Sequence, residues 1–238
     1  MTTWIVARTA LRAVMPGIVS YWAIMLAVVS AILIGIAAAG GQPDISIWST
    51  SGASAPKYFL FALGIAMIGQ FPVYIGHGLT RREFARGALL YFALLATIYG
   101  ATMALGFAAE RPVYVSAGLM AGLDEPYPVQ SLADGFTVLV EESLVGLSYL
   151  TGGWLIGMLF YRLNSWWGIV ILPFCTVPIL ATEMGFDSLW AGLGLNNAFD
   201  LEPPPLGVGV LIAVAAIAVM WSAIHAFVRT VPINKVSG

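Results

Sequence analysis

Long apolar runs alternate with polar connections along the chain, and none shows the two-residue alternation of a half-buried strand. Six runs contain no Asp, Glu, Lys or Arg: residues 18–39, 58–76, 87–109, 143–161, 163–182 and 206–228. A helix rises about 1.5 Å per residue, so about 20 residues cross a hydrocarbon core of about 30 Å. A backbone in lipid must satisfy its own hydrogen bonds, which leaves helices or closed barrels, and unbroken apolar runs of this length predict helices. The pattern predicts an all-α membrane protein, a single transmembrane domain over residues 1–238 with six spans.

Residues 2–15 follow a different pattern. Trp4, Ile5, Leu11 and Met15 are interleaved with Arg8 and Arg12, which stand four apart and so share a helical face. This predicts an N-terminal amphipathic helix lying in the inner interface and ended by Pro16. The run that follows is longer than the apolar core of a signal peptide and reads as a retained first span.

Composition settles the solvent. Hydrophobic residues make up 60% and charged residues 9%, with a mean hydropathy of +0.90. Soluble domains carry about 25% charged residues. A chain this poor in charge cannot cover a globular surface, so lipid must take that place. A net charge of −2 offers no basic surface to nucleic acid. The single cysteine, Cys175, excludes a disulfide within the chain, and no Cys/His cluster has metal-ligand spacing.

The few charges give an orientation. With both termini cytoplasmic, Arg8, Arg12, Arg81, Arg82, Arg86, Arg162, Arg229 and Lys235 fall inside, and only Lys57 and Arg111 outside, 8 against 2 of the 10 basic residues. That is a positive-inside distribution. Asp44, Glu110, Asp124, Glu125, Asp134, Glu183, Asp187, Asp200 and Glu202 fall outside. Trp166 and Trp167 would stand at the inner headgroup level. The outer connections are the longer ones. The last holds an apolar patch, residues 186–195, too short to span, which reads either as a re-entrant turn or as a surface loop.

Both lysines are followed by the wrong residue for a phosphate-binding loop, Lys57 by Tyr58 and Lys235 by Val236. The most specific segment is the second inner connection, residues 76–87. Thr80 and Glu83 have capping-box spacing, and Gly76 and Gly78 allow a sharp turn. Arg82 and Arg86 are four apart, and Phe84 supplies an apolar knob. The expectation is a short basic helix parallel to the membrane, docking Phe84 into a groove on a cytoplasmic partner.

The run Gly78, Thr80, Arg81, Arg82 and Phe84 resembles the segment after the second span in permease subunits of ATP-binding-cassette transporters, the export-associated second type. The layout is similar to that family as well: six spans, an amphipathic N-terminus, cytoplasmic termini and an outer excursion between the fifth and sixth spans. The long acidic loop between the third and fourth spans departs from the family pattern. The resemblance implies a multi-pass cell-membrane protein in which two permease subunits, identical or related, form the pathway. ATP would be bound by a separate ATPase chain, with no cofactor and no metal on this one. Gly78, Thr80, Arg81, Arg82, Glu83, Phe84 and Arg86 would couple to that ATPase.

Glu141 and Glu142 form the other candidate. An acidic pair inside the membrane could share a proton or bind a cation. Because the uncharged run begins at Ser143, the favoured reading is a helix N-terminal charge among the outer headgroups. The pair also resembles part of the Glu-Glu-x-x-x-Arg motif of intramembrane metal-dependent prenyl-protein proteases, but Gly146 stands at the Arg position and breaks it. An intramembrane enzyme using Glu141 and Glu142, or an accessory subunit without transport activity, are the alternatives to a permease. Small-residue stripes, Gly153 with Gly157 and Ala96 with Gly100 and Ala104, mark helix contacts within the chain or between two copies. Pro72, Pro173 and Pro178 are expected to kink their spans.

The orientation is checked by thiol labelling of intact cells in a Cys175→Ala background. Ser116→Cys should react from outside and Thr80→Cys should not. The opposite pattern would invert the topology.

Overall fold

A computed structural model describes residues 2–53, 55–123, 126–163, 165–188 and 191–230. Asp124, Glu125, Leu189, Trp190 and Lys235 lie outside the described residues. The elements are α1 (Thr2–Ala38), α2 (Ile47–Ala53), α3 (Ala55–Gly76), α4 (Arg81–Ser116), a 3-10 turn (Leu119–Gly122), α5 (Leu132–Arg162), α6 (Ser165–Gly185), α7 (Ala191–Ala198) and α8 (Leu206–Thr230). Six helical segments are long and apolar enough to cross a membrane. The chain is thus an all-helical, multi-pass membrane protein over the described residues.

The helices are longer than the uncharged runs. α4 has 36 residues and α5 has 31, about 54 and 46 Å at the helical rise. α1 passes through Pro16 without a break, so residues 2–15 are its first turns rather than a separate element. Val6 among them is fully buried and meets Gly87 of α4. Proline costs a helix one hydrogen bond and a clash with the preceding turn, a loss that a long apolar helix can absorb.

α5 is the centre of the bundle. It packs against α3, α4, α6 and α8 and is the most buried of the six. Two glycines permit its closest approach. A Cβ on Gly64 of α3 would collide with the Leu150 carbonyl, and one on Gly153 of α5 with the Phe61 carbonyl. The small-residue stripe at Gly153 therefore serves a contact within the chain, and so does Gly100, which faces Ser143 and Leu139 of α5. α1 packs chiefly on α4 and α2, stacks Tyr21 on Phe59 of α3 with ring centroids 4.7 Å apart, and exposes Ile24, Leu26 and Ile34, a surface suited to lipid.

The polar connections are folded too. α2 tucks Trp48, 3% exposed, against α4, where its indole N–H donates to the Met103 carbonyl at 3.1 Å. In the last connection α7 folds back on the end of α6. The Asn196 amide donates to the Met184 carbonyl at 3.1 Å and to Asp187 at 2.8 Å.

Gly153→Val should lower stability by about 1–3 kcal/mol or prevent assembly, because the added carbons overpack a backbone contact. Gly35→Ala, where nothing lies within 4 Å, should not. Thermal unfolding of the detergent-purified chain, followed by tryptophan fluorescence, compares them. Equal effects would remove the α3–α5 seam as the tight contact.

Candidate functional site

Two polar assemblies stand at opposite ends of the bundle. The first is the turn between α3 and α4. Gly78 has φ +86, in the left-handed region open to glycine, and reverses the chain between the two helices. Thr80 caps α4. The Glu83 N–H donates to the Thr80 hydroxyl at 3.2 Å, and the Thr80 N–H donates to the Glu83 carboxylate at 2.9 Å, the full capping box.

No separate short helix forms here. α4 runs from Arg81 straight into the bundle. Phe84 is also not an outward knob. It is 0% exposed, with ring centroids 5.4 Å from Phe71, 5.6 Å from Tyr74 and 6.0 Å from Trp154. Phe84 falls on the buried stripe of α4 that continues through Ala88, Tyr91, Leu95 and Tyr99. A fully buried ring cannot fill a partner's groove, so the expectation that it docks there is corrected.

Arg81 is tied inward as well. Its guanidinium donates to the Val228 carbonyl of α8 at 2.9 Å and lies over the Phe71 ring at 5.7 Å. Arg82 and Arg86 remain exposed, one turn apart on the opposite face of α4. His77 is exposed beside them. The start of α1 and the end of α8 lie at this same end of the bundle, through Val6 against Gly87 and Val228 against Arg81.

The second assembly lies at the other end and was missed as a group. Lys57 of α3 and Glu183 of α6 form an ion pair at 3.1 Å, with side chains 2% and 1% exposed. The Tyr99 hydroxyl of α4 donates to Glu142 of α5 at 2.7 Å. Glu142, Tyr99 and Tyr149 all lie in electrostatic reach of Glu183. Glu141 makes no hydrogen bond or ion pair among the described residues, and it lines a cavity of about 210 Å³ with Lys57, Glu142 and Asp187.

The acidic pair is therefore not an N-terminal charge of its helix. α5 begins at Leu132, capped by Ser131 and Asp134 through a capping box of their own. Glu141 lies nine residues further along, past the first turn where the helix dipole acts. Nor do the histidines approach it: His77 and His225 stand toward the α3–α4 turn, the far end of the bundle.

Glu110 of α4, 6% exposed, organises the lid over this end. It accepts from the Ser46 hydroxyl at 2.6 Å, the Trp48 N–H at 2.9 Å and the Tyr127 hydroxyl at 2.8 Å. Burial first, and then the Glu110 carboxylate, raise the Tyr127 phenol well above its usual range, so Tyr127 stays a donor.

Lys57, Glu110 and Glu183 each stand one residue beyond an uncharged run, as Glu142 does. That shared position is the signal that could have found them. One of only two lysines placed against the edge of a span was a second.

Lys57→Met should cost about 3–5 kcal/mol, because it leaves Glu183 buried without its cation. Lys57→Met with Glu183→Met should recover most of that loss, since an apolar pair of similar volume replaces the ions. Thermal unfolding of both variants in detergent measures this, and identical losses would mean that the two charges act independently. No family model, curated protein or solved structure matches this chain, so its function rests on the geometry above.

Proposed function

We propose that the chain is the membrane permease subunit of an ATP-driven exporter, working with a separate ATPase chain and a second permease subunit in the cell membrane. The observation that carries this reading is the α3–α4 turn. Arg82 and Arg86 present an exposed basic face, while Arg81 and Phe84 of the same turn are anchored in α3, α5 and α8. A load applied to the two arginines passes into three spans through packed aromatic rings and one charge-assisted hydrogen bond.

The resemblance of Gly78, Thr80, Arg81, Arg82 and Phe84 to the export-associated permeases supports the same role. Corrected for burial, it divides the motif into two parts. Arg82 and Arg86 meet the partner. Thr80 and Glu83 fix the start of the helix, and Arg81 and Phe84 transmit movement. With eight of the ten basic residues on one side, this end faces the cytoplasm, where ATP is. The chain itself binds no ATP, and the reading needs a partner that carries a phosphate-binding loop.

The test is co-purification from membranes that hold both chains. Arg82→Glu with Arg86→Glu should weaken capture of the ATPase at least tenfold, since truncating a desolvated interface charge costs about 2–5 kcal/mol. Arg8→Glu should not. Phe84→Leu, which keeps apolar volume but removes the ring, should leave capture intact and uncouple ATP hydrolysis from export. ATP hydrolysis by the purified chain alone, or equal effects of Arg8→Glu and the double reversal, would overturn the assignment.

A further inference from the structure

α1 and α3 stand apart over the half of the bundle nearer the α3–α4 turn. They make no close backbone approach to each other among the described residues. The Tyr21–Phe59 stack joins them toward the opposite end. Between that stack and the turn lies a groove of about 130 Å³, with Tyr91 of α4 at its floor. One part of it is apolar, lined by Ala13 and Val14 of α1 and by Leu63 and Ala66 of α3. Ala13, Ala66 and Gln70 are exposed, so the groove is open along the side of the bundle, where hydrocarbon meets a membrane protein. Its lining on α3 runs from Leu63 to Tyr74, eleven residues or about 17 Å. That is close to half of a hydrocarbon core of about 30 Å, the depth of one leaflet.

The rest of the lining is polar. Thr9, Gln70, Tyr74 and Tyr91 bring four hydrogen-bonding side chains to the groove, and none has a hydrogen-bond partner among the described residues. Tyr91 is 2% exposed, and buried polar groups are rarely left without a partner. Gln70 lies six residues inside the end of the uncharged run 58–76, and Tyr91 four residues inside the start of 87–109. These depths are about 9 and 6 Å. Hydrocarbon offers no acceptor to either side chain, so the partner has to enter from the headgroup side. All four side chains can donate, which calls for acceptor oxygens. A phospholipid carries such oxygens, in its esters and its phosphate, directly above its acyl chains. The charge of the headgroup follows from α1. Arg8 precedes Thr9 and Arg12 precedes Ala13, both are exposed, and neither forms an ion pair among the described residues. Two free cations beside the donors favour a headgroup with net negative charge.

We infer that the groove between α1 and α3 seats one anionic phospholipid from the leaflet that meets the α3–α4 turn. An acyl chain lies along Ala13, Val14, Leu63 and Ala66, the ester oxygens accept from Tyr91 and Gln70, and the phosphate is held toward Arg8 and Arg12. The lipid thereby fills the space between two helices whose backbones do not meet. Binding requires only this chain, so the inference stands or falls separately from the capture of an ATPase.

The probe is palmitoyl-oleoyl phosphatidylglycerol, added to the full chain in neutral detergent and followed by native mass spectrometry. One lipid per chain should be retained at a concentration at least tenfold below that needed for any further adduct. Phosphatidylcholine with the same acyl chains should bind at least tenfold more weakly. Ala66→Trp, which fills the groove, should abolish the retained lipid. Gly69→Trp, on the same helix with nothing within 4 Å of its Cβ position, should keep it. Tyr91→Phe with Gln70→Leu removes two donors but keeps apolar volume, and should weaken retention at least tenfold. Arg8→Gln with Arg12→Gln should lower phosphatidylglycerol to the level of phosphatidylcholine. No retained lipid, or equal retention in the Ala66→Trp and Gly69→Trp variants, would overturn the inference. Equal retention of the two lipids by the unaltered chain would reject an anionic headgroup, and displacement by inorganic phosphate would reduce the groove to a free-anion site. Either result overturns the inference as stated, and so does a dimer that Ala66→Trp dissolves, which would put a second copy in the groove. If Ala66→Trp does not fold, the Tyr91→Phe, Gln70→Leu chain decides, and full retention there rejects the site.

Discussion

In hydrocarbon no water stands ready to take over a hydrogen bond or a counter-charge that the protein withdraws. Each buried ion must find its answer inside the chain, and in this bundle that requirement selects the helix arrangement at one end. α3 and α6 each pack against α5, with no close backbone approach to each other among the described residues. Lys57 and Glu183 nonetheless meet at 3.1 Å. The pair thus joins directly two helices whose backbones meet only through α5. Glu110 does the same for the connections, joining the start of α2 and the segment before α5 to α4 through Ser46, Trp48 and Tyr127.

α5 connects the two polar ends. Glu142 and Trp154 are twelve residues apart, about 18 Å along one helix. Trp154 packs on Phe84 at 6.0 Å and on Trp221 at 5.7 Å, so it touches both α4 and α8. α3 and α4 also reach both assemblies, through Lys57 and Phe71 on one and Tyr99 and Phe84 on the other. Such helices are close-packed against α5 with glycine at the tightest point, and close-packed interiors pass on strain rather than absorb it.

What could be read from the chain, and what could not, follows from how each signal is encoded. Cap chemistry is local, and Thr80 with Glu83 forms the box that their spacing announces. Apolar periodicity is nearly as local: Phe84 shares its face with Ala88, Tyr91 and Leu95, which already marks it as an inward residue. Reading it as a knob gave the neighbouring arginines more weight than the period. The cluster was hidden for another reason. A run bounded at its last uncharged residue places Lys57, Glu110, Glu142 and Glu183 in loops, while the helices continue through them. Their pairing spans up to 126 residues, and no window along the chain brings such partners together. The fate of Gly153 was open for the same reason, since a small-residue seam looks alike whether its partner is α3 or a second copy.

The lengths of α4 and α5 have a consequence for the surrounding lipid. At about 54 and 46 Å, they exceed the hydrocarbon core of about 30 Å by about four and three turns. The excess lies in their charged ends, because the uncharged runs within them, residues 87–109 and 143–161, cover about 35 and 29 Å, close to the core itself. Glu110 lies six residues before the end of α4, about 9 Å from its tip. Glu110 and Glu142 each stand one residue beyond such a run, at the edge of the apolar part of their helices. A thinner membrane leaves that rim hydrated, and a thicker one draws it under, so the depth of these carboxylates is set by the host bilayer as much as by the fold.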